Sequence, residues 1–227
     1  MDSEALLLTL KLAASTTAIL LAIAVPLAWW IASGHSIGRA LVQAVVALPL
    51  VLPPTVLGYY LLIAMGPLTA PGRLLIHLLG HPLAFSFSGL LIGSVLYSIP
   101  FAVQPLVAGF RGVDRGYIEA AAGLGASPRA IFFSVVLPLS RASLLTSTVL
   151  AFTHTVGEFG VVLMIGGNIP NATRTLSISL YDQVQEFNYS AANRTALLLL
   201  LFSLAALLLI YLLPAVRRSD GRQADIV

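Results

Sequence analysis

Residues 119–138 read EAAAGLGASPRAIFFSVVLP, and strongly apolar runs flank them on both sides. The stretch carries Glu119, glycines at 123 and 125, Ser127-Pro128 and Leu137-Pro138. Hydrocarbon cannot satisfy a backbone broken in this way, so the stretch predicts an aqueous segment between two membrane spans. Its pattern predicts two short helices at a sharp turn. Asp114 caps the first, placing a carboxylate at its positive end, and Ala120, Ala121 and Ala122 favour it. Gly125 stands where a left-handed residue ends a helix. Ser127 caps the second helix, with Pro128 at its first position. Ile131, Phe132 and Val135 give that helix an apolar face, and Pro138 is expected to stop it.

The composition around this elbow is that of a membrane protein. Of 227 residues, 58% are hydrophobic and only 9% charged, against ~25% charged in a soluble domain. Five apolar runs are long enough to cross a bilayer at ~20 residues each. The fold class is therefore all-α: a polytopic helical membrane protein of about five transmembrane helices, with six as the alternative count. One membrane domain is expected over 1–227, with the elbow at 114–138 and a loose polar tail at 215–227. The absence of cysteine excludes disulfides and thiolate metal sites. No Lys/Arg cluster points to nucleic acid.

Run one covers about 5–31, with a kink expected at Pro26 and Trp29-Trp30 at the membrane boundary. It lacks the basic start and cleavage site of a leader, so a span is expected. Run two, about 40–65, should bend or unwind at Pro49, Pro53 and Pro54. Tyr59 and Tyr60 read equally as interfacial or core. Residues 66–88 predict a loop with a short surface helix. Run three covers about 89–110, with kinks expected at Pro100 and Pro105, and run four about 141–165. The segment GGNIPNATRT, from 166, is turn chemistry. Leu176, Leu180, Val184 and Phe187 then predict an amphipathic surface helix, and run five covers about 195–213.

The elbow resembles the cytoplasmic loop of ABC importer permeases: Glu-Ala-Ala, three residues, Gly, nine residues, Ile, one residue, Leu-Pro. Glu119, Ala120, Ala121, Gly125, Leu137 and Pro138 match in place, and Val135 stands where the family has isoleucine. The resemblance implies the type I importer permease fold. It also implies that these residues, with Ser127, couple to a separate ATPase. With the elbow in the cytoplasm, eight of the twelve Lys and Arg residues fall on that side and four on the other. This agrees with the positive-inside rule and puts the N-terminus outside and the C-terminus inside.

The residues offer little enzyme chemistry. A P-loop requires a lysine after its glycines, and the only lysine is Lys11, at the start of run one. No cofactor is expected in this chain; ATP and Mg²⁺ would sit on the partner. Glu158 is the one acidic residue within a span, and intramembrane carboxylates mark function by default. His154, four residues earlier, lies on the same helical face. Two readings stand: a structural His154–Glu158 pair, or a gate. Thr55, Ser147, Thr153 and Thr155 are candidates for a path lined by hydroxyls, with helix packing as the alternative for each. A secondary transporter or channel would need an internal repeat or mid-membrane coupling carboxylates, and neither is seen.

Beyond the elbow, LPLVLPPTVLGYYLL and TVGEFGVVLMIGGNIPNATRTLSISLY resemble the molybdate permeases of that family, from about 40 to 213. Tungstate and sulfate permeases share similar pieces and remain the alternatives. The resemblance implies a homodimer in a bacterial or archaeal cytoplasmic membrane, two ATPase subunits, and a periplasmic or extracellular molybdate-binding protein. Asn168, Pro170 and Arg174 are the expected contacts for that binding protein.

Overall fold

Side-chain caps open most of the helices. In the computed structural model, which describes residues 2–223, Asp2 accepts from Ala5 N at 3.0 Å and starts α1 (Ser3–Ala32). Ser36 starts α2 (Ile37–Ala47), which ends in a 3₁₀ turn at Leu48–Leu50. Pro54 occupies the first position of α3 (Pro54–Met65), where its missing N–H costs nothing. Thr69 caps α4 (Ala70–Leu79), the short helix expected in the 66–88 loop, and Ser86 caps α5 (Phe87–Arg111). The elbow follows: α6 (Arg115–Gly123), α7 (Pro128–Ile131), a π turn at Phe132–Val136, and α8 (Leu137–Leu139). Then come α9 (Arg141–Gly157), α10 (Gly160–Gly166), α11 (Leu176–Gln185) and α12 (Tyr189–Gln223). No strand occurs among the described residues.

The framework is α1, α5 and α9, each packed on the other two. Leu20, Ala24 and Ala28 of α1, Val103, Leu106 and Val107 of α5, and Ala151 of α9 share one buried cluster. In lipid, such contacts rest on close packing rather than on escape from water, so small residues matter at the crossings. A Cβ on Gly109 would collide with the Ser143 side chain, which sets how closely α5 and α9 approach. Met65, Leu83, Val161 and Ile165 form a second cluster that holds α10 in place.

Three helices are long and apolar enough to cross a membrane: Ser3–Ala32, Phe87–Arg111 and Tyr189–Leu212. Two bent pairs bring the count to five if each is one span. Run two is more than kinked at its prolines, since α2 with its 3₁₀ turn and α3 meet at 107°. Residues 128–139 and α9 meet at 73°. Pro138 does not stop the second elbow helix. The π turn shifts the hydrogen-bond register, with Leu137 N donating to Phe132 O, and the helix passes through the proline. The chain turns only at Ser140, whose hydroxyl donates to Gly109 O at 3.3 Å. The same slip moves the apolar face from Val135 to Val136, which is fully buried.

Three more expectations need correction. Run four is two helices, broken at Glu158 and Phe159. Run five is longer than expected, because α12 continues helically to Gln223, into the segment read as a loose tail; residues 224–227 lie outside the described residues. Finally, α11 is no surface helix with one wet side. Its first turn, Leu176 to Ser179, is buried all round, while Val184 and Phe187 are exposed. The Thr9 hydroxyl of α1 accepts from Leu176 N at 2.8 Å while donating to Ala5 O at 2.7 Å. Thr9→Val should strand that buried N–H and cost ~1–3 kcal/mol. A lower melting temperature in detergent, restored by Thr9→Ser, is the expected result.

Candidate functional site

The elbow is built by local chemistry. Asp114 accepts from Gly116 N at 2.8 Å, and Ser127 accepts from Ala130 N at 3.3 Å. Between them Gly125 has φ +82°, the left-handed conformation that only glycine adopts cheaply. Its N–H donates to Ala122 O at 2.9 Å and the Ala126 N–H to Ala121 O at 3.1 Å. These two bonds are the Schellman pattern, which satisfies the last carbonyls of α6. Ala121 of the Glu-Ala-Ala triplet therefore serves through its backbone.

The elbow is rigidly tied to the framework. Phe132 packs on Trp29 of α1 and Phe110 of α5, with ring centroids 5.3 and 5.8 Å away. Trp29 is thus part of this cluster, and Trp30 is the more exposed of the pair. Outward, Leu124 is 90% exposed at the turn and Tyr117 61% exposed on α6. Glu119 is exposed and lines a cleft of ≈ 620 Å³ with His35, Arg111 and Arg115. Pro138 is exposed and Leu137 half-buried against the core.

The second polar site is a cleft of ≈ 540 Å³ where the helices break. Pro54 and Thr55 at the start of α3, Tyr97 of α5, Thr153, His154 and Gly157 of α9, and Glu158 line it, with α10 closing the far wall. Glu158 has ψ 130°, so α9 ends there. A Cβ on Gly160 would lie 2.7 Å from Pro54 Cβ, so only glycine lets α10 meet α3 this closely. Glu158 is 4% exposed, and neither carboxylate oxygen has a hydrogen-bond partner among the described residues. The Thr153 hydroxyl is also without a partner.

Thr55, Thr153, His154 and Glu158, four of the residues read as a path, line this one cleft. The expected His154–Glu158 pair is not formed. His154 Nδ1 hydrogen-bonds Ser98 Oγ at 2.9 Å, and its ring stacks on Phe101 at 3.9 Å. The helical i,i+4 register needed for the pair is lost where the backbone leaves the helix at Glu158. Thr155 faces the core, donating to Ala151 O at 2.9 Å, and Ser147 is buried outside the cleft lining. Tyr97 and Gly157 join the cleft unforeseen. Gly157 was legible from the Gly-Glu-Phe-Gly run, whereas Tyr97 comes from a different helix and leaves no local signal.

At the opposite end Asn168, Arg174 and Asp182 lock together. Arg174 Nε donates to Asn168 Oδ1, and Asn168 Nδ2 to Asp182 Oδ2, both at 2.6 Å. Arg174 and Asp182 are also an ion pair at 3.7 Å. Pro170 is exposed in the loop they brace.

Comparisons with known proteins agree with this architecture. The family described as "Binding-protein-dependent transport system inner membrane component" matches residues 24–218. The molybdenum transport system permease protein ModB of Azotobacter vinelandii is 49% identical over 210 residues, covering 92% of this chain and 93% of that protein. ModB of Haemophilus influenzae is 35% identical over 212 residues, covering 92% of each. A crystal structure of a bacterial ABC transporter involved in import of the acidic polysaccharide alginate has a similar fold. It superposes with a TM-score of 0.66 at 17% identity, over 95% of this chain and 80% of that one.

Proposed function

The chain belongs to the family of binding-protein-dependent transport system inner membrane components, and from that premise we propose that it is the permease subunit of an ATP-driven molybdate importer. It is a multi-pass inner-membrane transport component and not an enzyme. The observation that carries molybdate is the 49% identity to a molybdenum permease across nearly the whole of both chains.

The geometry supports a division of labour. The elbow is the coupling element, in which Glu119, Leu124 and the Gly125 turn meet an ATPase subunit on the cytoplasmic side. Its rigid attachment at Phe132 and Ser140 carries that movement into α5 and α9. The cleft at Glu158 is part of the path, completed by a second copy of the chain. The Asn168–Arg174–Asp182 loop receives the molybdate-binding protein. ATP and Mg²⁺ belong to the ATPase.

Uptake by the reconstituted complex tests the substrate, with molybdate, tungstate and sulfate in competition. Preferential inhibition of molybdate uptake by sulfate would move the assignment to sulfate. For orientation, Ser127→Cys should react with a membrane-impermeant thiol reagent only from the cytoplasmic side. Labelling from outside intact cells would reverse the topology.

A further inference from the structure

Two clefts at the elbow end share His35 and Arg111. The smaller, ≈ 290 Å³, is lined by Ser36, Arg39, Gln43 and Arg111 among others. Both guanidinium groups are held in place. Gln43 Nε2 donates to Gln104 Oε1 at 3.3 Å, which fixes the amide so that its Oε1 accepts from Arg111 Nη2 at 3.2 Å. Arg39 lies over the Trp30 ring, 5.5 Å from its centroid. The one ion pair among the described residues is Arg174–Asp182, at the other end of the molecule. Neither Arg39 nor Arg111 is in an ion pair among these residues, and although Glu119 shares the larger cleft with Arg111, no carboxylate lines the smaller one.

An apolar stripe starts at the same place. Ile37, Leu41 and Val45, spaced four apart on one face of α2, are 82%, 63% and 68% exposed. The eleven residues of α2 span ~16 Å, about half of a ~30 Å hydrocarbon core. The 107° bend ends the segment one short turn later, after Leu50. The stripe's length is that of one leaflet's acyl chains. Trp30, an indole suited to the headgroup level, stands beside the cationic end.

We propose that Arg39 and Arg111 bind the headgroup phosphate of an anionic phospholipid whose acyl chains lie along Ile37, Leu41 and Val45. Two cations in a small cleft whose lining holds no carboxylate select an anionic headgroup over a zwitterionic one, whose own cation they would repel. The stripe selects a lipid over a free anion. This site borders the coupling surface, with which it shares His35 and Arg111, lies apart from the Glu158 cleft, and does not depend on which oxyanion is carried.

The test uses the intact transporter complex purified in neutral detergent. Native mass spectrometry would count retained phosphatidylglycerol and phosphatidylcholine of matched chains. Each guanidinium should contribute roughly fivefold, so Arg39→Gln with Arg111→Gln should cut phosphatidylglycerol retention by about twenty-five-fold and leave phosphatidylcholine unchanged. Arg39→Lys with Arg111→Lys keeps the charge and should retain most of the binding, which separates lost charge from lost fold. Leu41→Gln should lower retention of both lipids. Equal retention by wild type and the glutamine pair would overturn the site. Displacement of phosphatidylglycerol by inorganic phosphate alone would make it a free-phosphate site. Separation of the complex into smaller assemblies by Leu41→Gln would assign the stripe to a second copy of the chain.

Discussion

Replacing Gly125 with valine should leave the protein inserted in the membrane but weaken its hold on the ATPase. Gly125 has φ +82°, and a β-carbon there meets nothing within 4 Å. Crowding inside this chain is therefore not the obstacle. The cost is the left-handed backbone, ~1–2 kcal/mol for an L side chain and more for a β-branched one. Relaxing that strain would break the Gly125–Ala122 and Ala126–Ala121 bonds that aim α7 away from α6. The competent elbow would then be depleted by roughly five- to thirtyfold. ATPase co-purification and binding-protein-stimulated ATP hydrolysis should both fall by that order. Gly125→Asn tolerates the left-handed region better and should recover part of the loss, unless the side chain itself holds the two subunits apart. Glu119→Lys reverses an exposed charge beside Arg111 and Arg115 and should be more severe. Normal ATPase binding and stimulation in either Gly125→Val or Glu119→Lys would mean that coupling runs through another surface.

Replacing Glu158 with methionine should stabilise the protein while slowing transport. The carboxyl group is buried and makes no hydrogen bond among the described residues, so its removal breaks nothing. Leaving a buried polar group unsatisfied costs ~1–3 kcal/mol, and an apolar isostere of similar volume removes that penalty. The melting temperature of the purified variant should rise by a few degrees. Uptake should move the other way. If the carboxyl group finds its partner only while substrate or water fills the cleft, the lost interaction is worth ~1.5–3 kcal/mol, about tenfold or more in rate. A variant less stable than wild type would assign Glu158 a structural partner in another subunit. A variant that is more stable and fully active would remove Glu158 from the path.

The elbow was legible because its determinants lie within a few residues of one another. Asp114, Gly125, Ser127 and Pro128 specify caps and a left-handed turn without help from the rest of the chain. The stop at Pro138 was misread for a physical reason. A proline ends a regular helix, but a π turn before it absorbs the missing N–H, and nothing in Phe132–Val136 announces the turn. His154 and Glu158 share a face only if the helix continues through both. The break was marked by Gly157 and Gly160, yet glycines are common in membrane helices and the signal is weak. The burial of α11 was hidden altogether. Its polar first turn is satisfied by Thr9, Val156 and Asp2, which lie elsewhere in the sequence.

The Thr9–Leu176 hydrogen bond joins residues 167 positions apart, and Ser179–Asp2 spans 177. A ribosome releases α1 long before it makes the segment that completes it. Contacts so distant in sequence form late, because the entropy of closing the intervening loop is paid before they reward it. The α1–α5–α9 framework needs no residue beyond 157 and can assemble first. The end bearing α11 closes only when synthesis is nearly finished. A nascent chain halted before α11 leaves the Leu176 partner of Thr9 unmade, so this hydrogen bond distinguishes a finished transporter subunit from an abandoned one.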